Sequence, residues 1–262
     1  MIDNELGVSV ANHVATVEIQ RPPNNFFDED LINALADTFE ALDEETDVRA
    51  IVLAAQGKHF CAGANFASPA RDPEKPRPTP SVDDGNPLYD AAVRLFACRK
   101  PVIGAIQGAA IGGGFGLAVM PDFRVVTPEA RFAANFVKLG FHPGFGLTYT
   151  LPKLIGGQRA ARMFMTGERI DGEIAAAWGL ADRLTSAEKL RDEAQAMAAE
   201  IATNAPLAVV SVRATLRAGV ADAVKAATDH EHREQFRLRQ TNDHKEGVKA
   251  VAERRPGNFT GT

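Results

Sequence analysis

Three consecutive glycines, Gly112, Gly113 and Gly114, close the segment VIGAIQGAAIGGGFG at residues 102–116. An apolar run precedes them and the apolar stretch FGLAVM follows. Glycine is needed where backbone must approach a ligand closely or adopt positive φ. Three in a row ahead of a helical stretch leave N–H groups exposed at a helix N-terminus, a site for negative charge. The charge is either a phosphate or an oxyanion that exists only during reaction. A dinucleotide site wants G-x-G-x-x-G after an N-terminal strand and an acid ~20 residues further on. Here the triplet lies mid-chain and Asp122 follows within a few residues. A Gly-Lys-Ser/Thr phosphate loop and a G-x-S-x-G elbow are both absent. An oxyanion site remains, and it calls for a second donor. The apolar segment AIVLA at 50–54 leads through Gly57, Lys58 and His59 into Phe60-Cys61-Ala62-Gly63-Ala64-Asn65, again a strand followed by a small-residue turn. Two such strands in one sheet would bring the turns side by side.

The elements that must hold these turns read as α/β. Val14, Val17 and Ile19 mark a strand ending at Arg21-Pro22-Pro23. Leu31, Leu35, Phe39 and Leu42 recur at helical spacing behind Asp28 or Asp30 as cap. Residues 50–54, 102–106 and 124–126 read as buried strands alternating with helices. Residues 67–87 are rich in proline and charge and read as a surface loop, either a lid or a tolerated insertion. Helices are expected at 172–179, 187–204, 206–218, 221–240 and 245–254. Such a helical tail needs something to pack on, and a neighbouring subunit is a natural partner.

The chain's 262 residues carry 34 acidic and 29 basic side chains, a formal net charge of −5. This argues against a general nucleic-acid binder, which needs a basic surface. No apolar run approaches the ~18–20 residues of a membrane span. Two cysteines, Cys61 and Cys98, form no disulfide framework or zinc-like spacing. With no basic leader followed by an apolar stretch, the expectation is a reduced, cytoplasmic protein without membrane or nucleic-acid partners.

Several segments together resemble the crotonase superfamily, the enoyl-CoA hydratase/isomerase family, over nearly the whole chain. They are AIVLAAQGKHFCAGAN at 50–65 and KPVIGAIQGAAIGGGFGLAVMPD at 100–122, then Arg131-Phe132, Leu139-Gly140, Leu151-Pro152-Lys153, Ile155-Gly156, Thr166-Gly167, Gly179-Leu180 and the tail from Asp243 to Phe259. The resemblance implies an α/β fold, a crotonase-like spiral of ββα units over residues 1–200 carrying an acyl-CoA site. It implies an all-helical oligomerisation region over 201–262, and a homotrimer or dimer of trimers. The substrate would be an acyl-CoA thioester turned over through an enolate, with no cofactor beyond the substrate's own coenzyme A moiety. By position, the family's two oxyanion N–H donors fall on Ala62 and Gly113. Coenzyme A contacts fall on Ala64, Asn65 and Phe66, and on the wall at 21–25 with Arg21 and Asn24. Arg254 is either a contact to coenzyme A phosphates of a neighbouring subunit or a solvated charge.

The chain departs from the family where hydratases carry two glutamates: the aligned positions are Gly116 and Phe136. A third place, where some isomerases keep an acid, aligns with Gly144. None of these side chains titrates. His142, in the same loop, is the candidate acid/base or polar anchor; the alternative is a loop histidine that faces outward or caps a helix. The expected function is therefore an acyl-CoA lyase or isomerase acting by enolate stabilisation rather than two-glutamate hydration. The alternative is a non-catalytic acyl-CoA-binding relative. His59 and Asp122 read as structural, and Cys61 as filling a tight turn. His230, Glu231 and His232 lie on different sides of a helix and do not suggest a metal site.

Overall fold

The computed structural model describes residues 5–64, 82 and 85–262. A six-stranded sheet runs in the order β1-β2-β3-β4-β6-β9, and a three-stranded sheet in the order β5-β7-β8. Its strands are β1 (Leu6–Ala11), β2 (Val14–Ile19), β3 (Ala50–Ala55), β4 (Val102–Ile106), β5 (Ala109–Ile111), β6 (Phe123–Val126), β7 (Arg131–Ala133), β8 (Arg169–Asp171) and β9 (Arg183–Leu184). β1 pairs antiparallel with β2, and every later pairing in the large sheet is parallel.

The central strand β3 is buried at all six positions, which is why it reads as one apolar run. Its residues nevertheless alternate between two cores. Ile51, Leu53 and Ala55 join the main core with Leu31, Leu35 and Phe39 of α1 (Glu29–Glu44). Ala50, Val52 and Ala54 pack with Leu190, Ala194, Ala198 and Ala202 of α7 (Leu190–Ala202) on the opposite face. Asp28 caps α1 by accepting the Leu31 N–H at 3.0 Å, as one of the two expected caps.

β1 and the small sheet were not legible in the sequence. β1 is mostly exposed, and β5, β7 and β8 have three residues each, too short for a period to show. β5 and β7 each follow a large-sheet strand directly, giving the β4–β5 and β6–β7 corners of a repeated strand–strand–helix unit. The β4–β5 corner leads into α3 (Gly113–Val119), and the later helices include α2 (Pro87–Ala97), α4 (Leu147–Ile155), α5 (Gly157–Thr166) and α6 (Gly172–Ala177).

The tail comprises α8 (Pro206–Leu216), α9 (Val220–Leu238) and α10 (Asn242–Ala252). It packs on its own chain. Asp122, at the end of α3's exit loop, accepts from Arg213 Nε at 2.7 Å, Arg217 Nη1 at 3.1 Å and Val102 N at 2.8 Å, tying α8 to the sheet. Glu231 of α9 is fully buried and caps α4, accepting the N–H groups of Gly146 at 2.8 Å and Thr148 at 3.0 Å. No described helix is long and apolar enough to cross a membrane.

Candidate active site

The two small-residue turns lie against each other. The Cys61 N–H donates to Ala109 O at 2.9 Å, and Ile111 N–H returns to Cys61 O at 3.0 Å. The first turn thus runs as a short extra strand beside β5, which itself leads into the glycine triplet. Glycine is obligatory at this seam: a Cβ on Gly114 would collide with the Cys61 carbonyl, and one on Gly63 would lie 2.8 Å from Ile111 O. His59 supports the same corner, its Nδ1 accepting the Ala109 N–H at 3.1 Å. Burial, with Lys58 nearby, holds its pKa below the usual histidine value, as suits a neutral acceptor. Cys61 is fully buried, and desolvation pushes its thiol up to about 12, so it is an inert filler of the turn.

The amide expected as the first donor is engaged within the chain. The Ala62 N–H is already spent on the Asn24 carbonyl at 2.9 Å, so it is not available to a ligand oxygen. Asn24 acts through that carbonyl, and neither Asn24 nor Arg21 lines the cavity described below. Arg21 is held in ion pairs with Glu5 and with Asp28, the latter at 2.9 Å. Two residues on, the N–H of Ala64 has no partner among the described residues, and neither does that of Gly113. Gly112 caps α3 with φ +58°, which leaves the Gly113 N–H as an orphan donor of the first helical turn.

Ala64 and Gly113 both border a cavity of about 450 Å³. Its walls are largely apolar and include six aromatic side chains: Phe26, Phe27, Phe136, Phe141, Phe145 and Tyr89. Polar groups are few, namely Asn86, Asn135, Gln235 and Arg239 beside Tyr89. No described residue lining it is a carboxylate or histidine, and the described residues hold no His/Cys/Asp/Glu cluster suited to a metal.

Gly116, Phe136 and Gly144, where the resemblance led an acid to be expected, are all at or beside this cavity, and the space is filled. A Cβ on Gly116 would sit 2.6 Å from Phe145 Cβ. Phe136 contributes its own ring to the wall. A Cβ on Gly144 would collide with the Tyr89 hydroxyl and lie 2.5 Å from Gln235 Nε2.

His142, the expected acid/base, does not line the cavity. Its Nδ1 lies 2.9 Å from Pro143 O, and its ring packs edge-on against His230 at 5.6 Å. The loop carbonyls of His142 and Pro143 instead receive Gln235 Nε2. Asn65 and Phe66, with most of the 67–87 loop, lie outside the described residues. Arg254 is exposed just beyond α10 and is not a lining residue. Sequence reasoning missed α10 as part of the site: Val248, Val251 and Ala252 close the cavity of their own chain.

A family model for enoyl-CoA hydratase/isomerase matches residues 9–262. The chain belongs to the enoyl-CoA hydratase/isomerase family. Among curated relatives, it is 31% identical to the carnitinyl-CoA dehydratase of Proteus mirabilis, over 99% of this chain and 100% of that one. It is 30% identical to the 1,2-epoxyphenylacetyl-CoA isomerase of Escherichia coli, covering 96% and 97%. It is 32% identical to the (E)-benzylidenesuccinyl-CoA hydratase of Thauera aromatica, covering 97% and 98%. A solved enoyl-CoA hydratase/isomerase from Pseudoalteromonas atlantica superposes with a TM-score of 0.85 at 28% identity, covering 98% and 100%. The fold is thus the crotonase fold, as the motifs implied. These family members are enzymes acting on coenzyme A thioesters through different reactions.

Proposed function

We propose that this chain is an acyl-CoA enzyme that holds the thioester carbonyl between the N–H groups of Ala64 and Gly113 and stabilises the enolate formed there. One observation carries the reading. Two amides without a partner among the described residues, one from each of the turns joined by the Cys61–β5 pairing, border the same apolar cavity. Preorganised N–H donors aimed at a developing oxyanion are worth most in such a water-poor site. The positive end of α3 adds to the same field.

The reaction differs from two-glutamate hydration, because Gly116 and Phe136 supply no proton shuttle. Lyase or isomerase chemistry remains the favoured class, with any proton carried by substrate, by water or by a group outside the described residues. A second reading, a non-catalytic acyl-CoA binder, draws on the same absence of a carboxylate among the described lining residues. The oxyanion pair favours the enzyme, since a binder gains little from two aimed donors.

Arg254 follows within a few residues of Val251 and Ala252 at the cavity edge. It is proposed as a phosphate contact for coenzyme A bound to its own chain. Exposed Leu207 (85%) and Leu216 (79%) on α8 support the expected trimer or pair of trimers, which light scattering would measure. The deciding experiment for activity is a panel of saturated, unsaturated, hydroxy and malonyl-type acyl-CoA thioesters followed by mass spectrometry. Product from at least one supports the enzyme; tight binding with no product throughout supports the binder.

A further inference from the structure

Among the described residues that line the cavity, Arg239 alone is charged at neutral pH, and no carboxylate stands beside it. Its guanidinium makes no hydrogen bond or ion pair with any described residue. It is held instead over the ring of Phe141, 5.7 Å from the centroid, at cation–π distance. Arg239 is the exposed C-cap of α9, so it reaches the cavity from the solvent side. The apolar wall thus carries a cation that nothing described neutralises.

The other polar side chains of the wall are engaged or lie elsewhere. The Tyr89 hydroxyl donates to Gln235 Oε1 at 2.9 Å. The Gln235 amide nitrogen donates to the carbonyls of His142 at 2.9 Å and Pro143 at 3.2 Å. The Asn86 amide nitrogen lies 3.5 Å from His232 Nδ1. Asn135 stays beside the donors, its Oδ1 3.8 Å from where a Cβ on Gly112 would stand. Phe145 is fully buried and fills the space beside Gly116, which makes that end of the cavity a closed one. A row of rings leads from the donors to the charge instead. Phe136 approaches the same Gly112 position to 3.8 Å, it meets Phe141 edge-on with centroids 5.6 Å apart, and Phe141 carries Arg239. Arg239 therefore stands two rings away from the donor turn.

We propose that the acyl group carries a carboxylate at the end remote from its thioester, and that this carboxylate pairs with the Arg239 guanidinium. The substrate class is then the coenzyme A monothioester of a dicarboxylic acid. A carboxylate taken into an apolar cavity needs a partner, and the planar guanidinium offers it two parallel hydrogen bonds. Low-dielectric walls strengthen that attraction over its value in open water. A cationic acyl terminus would meet repulsion at the same place. This inference rests on the thioester reading above and specifies its acyl group.

Calorimetric binding of three thioesters to the full chain tests it. They share a chain length and differ in terminal charge: adipyl-CoA is anionic there, hexanoyl-CoA neutral and 6-aminohexanoyl-CoA cationic. Adipyl-CoA should bind about 3- to 10-fold tighter than hexanoyl-CoA, as suits a charge-assisted pair at a partly exposed site. The cationic thioester should bind more weakly than either, and added salt should shrink the adipyl preference. In Arg239→Gln the adipyl-to-hexanoyl ratio should fall to near unity, and Arg239→Lys should restore part of it. The wild-type series decides the matter even if these variants do not fold. Hexanoyl-CoA or 6-aminohexanoyl-CoA binding as tightly as adipyl-CoA overturns the carboxylate pairing while leaving the thioester site standing. So does an equal loss of all three in Arg239→Gln, which would place the guanidinium on a coenzyme A phosphate. No binding of any of the three overturns the thioester reading itself, and the acyl assignment with it.

Discussion

At the donor end of the cavity the working atoms belong to the main chain. At the closed end they would have to be side chains. The Ala64 and Gly113 amides are placed by a ladder of backbone hydrogen bonds through Cys61, Ala109 and Ile111, which any residues small enough to fit the seam can build. The closed end holds Gly116, Gly144 and Phe145, with Tyr89 and Gln235 bonded to one another. Backbone geometry thus presents two donor amides to the cavity, while Gly116, Phe136 and Gly144 at or beside it carry no titratable side chain. In this fold the two capacities are separable because different parts of the polypeptide carry them.

The strongest way to break the comparison is to delete a backbone donor. Ala64→Pro removes the N–H and should lower turnover of the true substrate about 100- to 1000-fold, measured as kcat with folding checked by circular dichroism. A loss no larger than that of Ala62→Pro would return the donor role to Ala62.

Next in size is the support behind the closed end. Glu231→Ala leaves the buried N–H groups of Gly146 and Thr148 without their acceptor and should cost about 3 kcal/mol in denaturant unfolding. Restoring an acid by Gly116→Glu should fail in the wild-type background. Its Cβ meets Phe145, and overpacking of this kind costs about 1–3 kcal/mol. Hydratase activity appearing in that single variant would show that the closed end yields more readily than its contacts imply.

A smaller effect tests the seam through pH. His59 has a folded pKa below its ordinary value of 6.5, so below about that pH the unfolded chain binds the proton more readily. Stability should therefore decline as pH falls from 6.5, and His59→Asn, which keeps an acceptor for the Ala109 N–H, should flatten that decline. The smallest change is expected from His142→Ala. Because the ring lies against His230 and outside the cavity, turnover should stay within about twofold of wild type; a large loss would reinstate it as the acid/base.

How much of this was readable beforehand depends on the range of the interactions involved. The glycine triplet, the companion turn, the helix through Leu31, Leu35, Phe39 and Leu42 and the buried strand at 50–54 carry local signals, and the structure has these elements there. The family followed from those same motifs. The identities of Gly116 and Phe136 need no coordinates either. The choice between Ala62 and Ala64 was not readable, because the deciding carbonyl belongs to Asn24 on a separate segment. The same holds for His142, whose loop position is local but whose ring direction is set by His230 on α9, and for the tail, whose α10 folds over its own cavity. Sequence alone determined the two small-residue turns and the non-titrating side chains at Gly116, Phe136 and Gly144. Tertiary structure alone decided which amide is engaged by Asn24 and what fills the space beside Gly116 and Gly144, because hydrogen-bond competition and packing act between residues that the chain keeps far apart.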